Sequence, residues 1–120
     1  MRSFWGSVIL FATLILFVIL NGIYILDLSE RIDEYAARLE KEEDPTALLD
    51  ELQDLWKQNR KFLSFSIDTA TLDEIEKTIL SLAVAHQSGD WYEFEKYRAY
   101  LSEAAREISR FERLDIENIL

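Results

Sequence analysis

The 120-residue chain has no cysteine, a single proline, three glycines and one histidine. Without cysteine there is no disulfide, no thiolate nucleophile, no thiolate zinc site and no lipobox-type lipidation. The start Met1-Arg2 is not the Met-Gly needed for myristoylation. So few glycines and prolines leave little of the chain punctuation that strands and hairpins require, and the expected fold class is all-α. His86 has no second histidine at Glu-x-x-His or His-Glu-x-x-His spacing, so no metal site is expected. A Ser–His nucleophile would need an acid and an oxyanion hole that nothing around the serines announces. The bland role for His86 is near the end of a helix, facing the negative end of its dipole. The acidic residues form no D-x-D-x-D-G loop for calcium.

Charge is also missing from one whole segment. After Arg2 nothing charged occurs until Asp27, and residues 4–26 read FWGSVILFATLILFVILNGIYIL. As a helix these span about 34 Å, enough to cross a hydrocarbon core of about 30 Å. A buried core helix would need more protein around it than this chain offers. A cleavable signal peptide would need a shorter apolar stretch and a small-x-small site, which Asn21, Gly22 and Ile23 do not provide. Residues 1–26 are therefore expected to be a retained transmembrane anchor. Phe11 and Leu16 lie in its apolar interior, and Trp5 and Tyr24 near its ends, where amphipathic aromatics suit head groups. Arg2 on one flank and Asp27 and Glu30 on the other favour a cytoplasmic amino end and an extracytoplasmic domain, although Arg31, Arg38 and Lys41 count against it.

Residues 27–120 contain all 23 acidic residues and 12 of the 13 basic ones, a formal charge of −11. Such a domain is soluble and repels phosphate backbones, so nucleic acid is not an expected partner. Ile25, Leu28, Ile32, Tyr35 and Leu39 follow 3-4-3-4 spacing, continuing the anchor helix to about residue 42. The stripe Leu28, Ile32, Tyr35 and Leu39 is also a candidate self-association surface. Asp44-Pro45 predicts a stop and a new helix over about 45–67, capped by Asp44. Its stripe is Leu48, Leu52, Leu55 and Phe62, widened by Leu49, Trp56 and Leu63. Thr71-Leu-Asp-Glu74 is a capping-box pattern predicting a helix over about 72–87, with Leu72, Ile75, Ile79 and Leu82 inside and Leu80 and Ala83 alongside. Gly89 ends it, and Asp90 caps a fourth helix over about 91–113 with Phe94, Tyr97, Leu101, Ala104, Ile108 and Phe111 in register. The tail LDIENIL is expected to fold back onto the bundle. Aligning Asp44 with Asp90 superposes Leu48 on Phe94, Leu55 on Leu101 and Phe62 on Ile108, a faint echo of two helical hairpins. The expected architecture is a membrane helix continuing into an antiparallel four-helix bundle-like domain.

Carboxylate pairs such as Glu42 with Asp44, Asp73 with Glu76, and Glu93 with Glu95 are the solvated faces and first-turn acids of helices. A glycosidase-like pair would need a cleft that short helices hardly form. No enzymatic activity and no cofactor are expected. Trp91, Tyr92, Tyr97 and Tyr100 are the candidate partner surface, since aromatics with polar edges tolerate both water and contact. Packing between helices is the plainer reading of each. Asn21 and Gly22 fit contact with another membrane helix, or simply water at the interface.

The segments LDELQDLWKQNRKFLSFSID, LDEIEKTILSL, GDWYEF and the terminal ENIL resemble the small membrane-anchored proteins of Firmicutes grouped as domain of unknown function 4363. The likeness rests on Trp56, Leu72–Glu76 and Asn118–Leu120 and covers nearly the whole chain. It implies a Gram-positive source and a helical extracytoplasmic or spore-envelope setting, and it brings no activity and no binding residues. It also suggests a YetF-like membrane protein as partner, because such proteins are often encoded beside one. The expected function is a membrane-anchored, non-enzymatic accessory module that docks on another membrane or envelope protein, with self-association open. The alternative is an extracytoplasmic sensor holding a small apolar or cationic ligand between its helices.

Overall fold

The computed structural model describes residues 2–119. Four helices follow one another up, down, up and down: α1 (Arg2–Lys41), α2 (Thr46–Leu63), α3 (Thr69–Ser88) and α4 (Trp91–Ile119). Neighbours pack α1 on α2, α2 on α3, α3 on α4 and α4 back on α1, so the bundle closes into a ring. The α1–α4 and α3–α4 seams are the extensive ones. The molecule is all-α and elongated, 68 × 23 × 23 Å, because α1 runs on beyond the bundle. By length and composition α1 is able to cross a membrane.

The connections are set locally. Asp44 Oδ1 accepts from the Thr46 backbone N–H at 3.2 Å and its hydroxyl at 2.7 Å, and buried Pro45 begins the turn into α2. Gly89 ends α3 at φ 69°, a left-handed geometry that only glycine adopts without penalty. The Asp90 N–H then closes on the Ala85 carbonyl at 3.0 Å, while Asp90 Oδ1 takes the Glu93 N–H at 3.1 Å and starts α4. The capping-box expectation at Thr71–Glu74 is displaced. Asp68 caps α3 instead, accepting from the Thr71 N–H at 3.3 Å and hydroxyl at 2.6 Å. Thr71 thus donates both its N–H and its hydroxyl to the capping carboxylate. The second helix ends at Leu63, earlier than expected, where the Ser64 hydroxyl turns back to the Lys61 carbonyl at 2.5 Å.

The core runs the length of the bundle. Ile25, Leu28, Ile32, Ala36 and Leu39 of α1 meet Leu48, Leu52, Trp56 and Leu63 of α2, Leu72, Ile75, Ile79 and Leu82 of α3, and Phe94, Leu101 and Ala105 of α4. Each of the larger ones contributes about 1.5–3 kcal/mol by leaving water. Two expected stripe members, Phe62 and Phe111, are each 60% exposed, and Leu80, expected alongside the third stripe, is 55% exposed. A bundle of four helices needs only a narrow arc of each one, and these side chains sit at or beyond the edge of that arc.

The fourth helix differs most from expectation. Instead of stopping near residue 113 and folding back, it stays helical to Ile119 and runs antiparallel beside α1. A buried Ser29–Ser109 hydrogen bond of 2.5 Å joins the two. Below it Ile116 lies against Gly22, where an added Cβ would meet Ile116 Cδ1 at 3.0 Å. Leu120 lies outside the described residues.

Candidate functional site

At the end of the bundle far from the apolar half of α1, the third and fourth helices leave a set of apolar side chains outside the core. Leu80 and Val84 of α3 are 55% and 63% exposed, and Trp91, Tyr92 and Tyr100 of α4 are exposed too. Leu80, Val84 and half-buried Tyr97 line one shallow groove of about 340 Å³, rimmed by Lys77, Asp90 and Glu93. Tyr97 and Tyr100, three residues apart on the helix, form an edge-to-face pair at 6.1 Å and 83°. Lys96 Nζ lies 5.0 Å from the centre of the Tyr97 ring and is tied to Glu93 at 3.0 Å. The Glu93 carboxylate raises the Lys96 pKa above its ordinary value, chiefly by that hydrogen bond, so the ammonium stays charged.

The four aromatics expected to make a partner surface are therefore not one cluster. Tyr97 and Tyr100 stand together toward α3. Trp91 packs at the top of the bundle, its ring centre 5.9 Å from Phe94 and 6.2 Å from His86. Tyr92, 78% exposed, projects into solvent. Leu80 and Val84 are surface residues that the stripe pattern of α3 does not mark. Their signal is an i, i+4 apolar pair set well off the Leu72–Ile75–Ile79–Leu82 stripe, which a one-stripe reading of α3 passes over.

His86 is a fastener between elements. Its Nε2 is 3.1 Å from the Thr46 hydroxyl at the start of α2, and its ring lies beside Trp91 and Phe94. The Nδ1 atom is buried and has no hydrogen-bond partner. Among the described residues no three His, Asp or Glu side chains converge as a metal-binding group.

A second, wider groove between α3 and α4 has a volume of about 640 Å³. Asp68, Glu74, Glu103, Glu107 and Glu112 line it together with Tyr100 and Phe111, so it is acidic with aromatic walls. Burial pushes the Glu112 carboxyl above its ordinary value, and the neighbouring Asp115 carboxylate adds to this.

The candidate self-association stripe is corrected by the packing. Leu28, Ile32 and Leu39 are buried in the chain's own core, and Tyr35 is half-buried with its hydroxyl 3.3 Å from Glu51 Oε2. A second copy could reach this stripe only by opening the bundle. The polar edge of α1 is likewise spent within the chain. Asp33 accepts from Ser102 at 2.6 Å and from Arg106 at 3.3 Å. Arg98, its side chain 12% exposed, is held by Glu95 and by Glu40 at 3.8 Å and reaches the Ala36 carbonyl at 3.4 Å. Asn21 and Gly22 contact the chain's own Ser66 and Ile116.

The anchor candidates Trp5, Phe11 and Leu16 are 62%, 65% and 56% exposed along the free half of α1, while Tyr24 donates its hydroxyl to Asn59. A family model described as Domain of unknown function (DUF4363) matches residues 24–119. No curated protein matches the chain. No solved structure matches it either.

Proposed function

The chain belongs to the DUF4363 family, and from that premise we propose that it is a membrane-anchored, non-enzymatic accessory module that docks on another membrane or envelope protein. The observation that carries this reading is the apolar set Leu80, Val84, Trp91, Tyr92 and Tyr100, left exposed on α3 and α4 away from the anchor segment. Isolated apolar residues on a surface are ordinary, but a groove shared by Leu80, Val84 and Tyr97 with a charged rim has the make-up of a contact site. In this reading α1 is retained as the anchor, its amino end is cytoplasmic, and the bundle stands on the outer face of a Gram-positive membrane. A YetF-like membrane protein is the first partner to seek.

The test is in-cell crosslinking followed by co-purification from native membranes in mild detergent, with a carboxyl-terminal tag. Intact mass of the same sample reports whether the first 26 residues remain attached. One stoichiometric membrane partner, lost when Leu80 and Val84 become Asp or when Trp91 and Tyr92 become Ala, is the expected result. Recovery of the full-length protein by itself overturns docking.

The second reading, a sensor, draws on the acidic groove of α3 and α4. Five carboxylates with Tyr100 and Phe111 suit a small organic cation, which aromatic faces and negative charge both attract. A thermal-shift screen of cationic compounds on the full-length protein in detergent tests it, because a specific ligand raises the midpoint by mass action.

A further inference from the structure

The end of the bundle nearest the apolar half of α1 carries its own exposed apolar residues, and their position along α1 identifies what covers them. Phe62 and Phe65 flank the end of α2, at 60% and 80% exposure, while Phe111, Leu114 and Ile119 on α4 are 60%, 50% and 43% exposed. None of these serves the core. Two contacts fix their level. Asn21 donates to the Ser66 hydroxyl in the α2–α3 turn, and Gly22 lies against Ile116. Both α1 residues belong to the uncharged segment, which ends at Asp27, about 7.5 Å further along the helix. The turn and the last turns of α4 thus reach below the first acidic residue of α1, alongside side chains such as Ile23 and Leu20 that are 52% and 57% exposed.

We propose that this face is a membrane-contact collar: the α2–α3 turn and the end of α4 are immersed in the head-group region of the bilayer that α1 crosses. The inference rests on the anchor reading of α1 and adds that the domain sits on the membrane, not above it on a stalk. The apolar surface of α1 meets the collar at Gly22, against Ile116 and the half-buried Glu112, whose Oε2 lies 3.5 Å from where a Gly22 Cβ would be, so the two surfaces adjoin at one level. Asp115 and Glu117 on the same turns set the depth at the head groups, since carboxylates are costly in hydrocarbon. The excess acidity of the domain favours zwitterionic over anionic lipid. A seated collar fixes the height of the opposite end. Tyr92 is 24 residues from Ile116 along α4, placing the aromatic surface about 36 Å above the Gly22 level.

The absence of cysteine makes the test clean. Single variants Phe65→Cys, Phe111→Cys, Leu16→Cys and Tyr92→Cys of the full-length protein are spin-labelled and reconstituted in phosphatidylcholine vesicles. Collision rates are read with oxygen, which partitions into lipid, and with a water-soluble nickel chelate. All four side chains are largely exposed, so the substitutions disturb little packing. The expected result is an oxygen-to-nickel ratio at 65 and 111 several-fold above that at 92 and approaching that at 16. Ratios at 65 and 111 equal to that at 92, with 16 immersed, overturn the collar while leaving the anchor intact. A ratio at 16 equal to that at 92 overturns the anchor and the collar together. Labels at 65 and 111 that neither probe reaches mean that protein covers this face, which also overturns the proposal.

Discussion

At the scale of single residues, two carboxyl groups pull stability in opposite directions with pH. Asp68 is held below its ordinary value, first by the Thr71 hydroxyl bond. Its stabilisation is complete above the unfolded value of about 3.9 and drains away as pH falls through the lowered folded value. Asp68→Asn keeps a capping acceptor, so the thermal midpoint at neutral pH should hardly move. The fall of that midpoint between about pH 5 and pH 2 should become shallower, and an unchanged slope would show that the cap carboxylate does not titrate with folding. Glu112 is the reverse case, raised by burial. A raised carboxyl stabilises fully below its unfolded value and loses that contribution as pH rises through the folded one. Glu112→Gln should therefore raise the midpoint at pH 7 and leave it unchanged well below about pH 4. Gly89 and the Asp90 cap are legible in the sequence because each acts within a few neighbouring residues, whereas Asp44, expected to cap α2, stands one residue before the N-cap Pro45 and binds Thr46 across it. The cap at Asp68 is less legible, since Thr71–Glu74 offers a competing capping pattern only three residues further on.

At the scale of elements, the close pass of α4 along α1 depends on Gly22. The Ile116 side chain occupies the room a larger residue would need, so Gly22→Leu should pry the end of α4 away. Overpacking of this kind costs about 1–3 kcal/mol. Hydrogen exchange on residues 112–119 is the readout: faster exchange there with little change in α3 is expected, and uniform protection would reject the contact. Helix periods showed which side of α2, α3 and α4 turns inward. They do not show how wide the inward arc is, so the stripes take in Phe62 and Phe111, which face out. The length of α4 was hidden for a related reason. Leu114, Ile116 and Ile119 read as a loose tail until α1 supplies the surface that Ile116 packs on.

At the scale of the whole molecule, the formal charge of −11 on residues 27–120 outweighs the ion pairs that dress the surface. Most of these pairs are exposed, Arg31–Asp27 and Arg113–Glu30 among them, and such pairs contribute little. Raising salt from 0.01 M to 0.15 M shortens screening from about 30 Å to about 8 Å and relieves the repulsion. The thermal midpoint of the protein in neutral detergent should rise over that range, and a fall would mean that the ion pairs dominate. The sequence by itself determined the all-helical class, the apolar half of α1, the chain breaks near Asp44 and Gly89 and the sign of the charge. These depend on composition and on residues close together in the chain. Only the tertiary structure decided that Leu28, Ile32 and Leu39 are used up internally, that Asn21 and Gly22 touch the chain's own Ser66 and Ile116, and that exposed apolar side chains gather at both ends of the bundle. Those outcomes depend on which helix neighbours which and at what height, and helical periodicity carries no information about either.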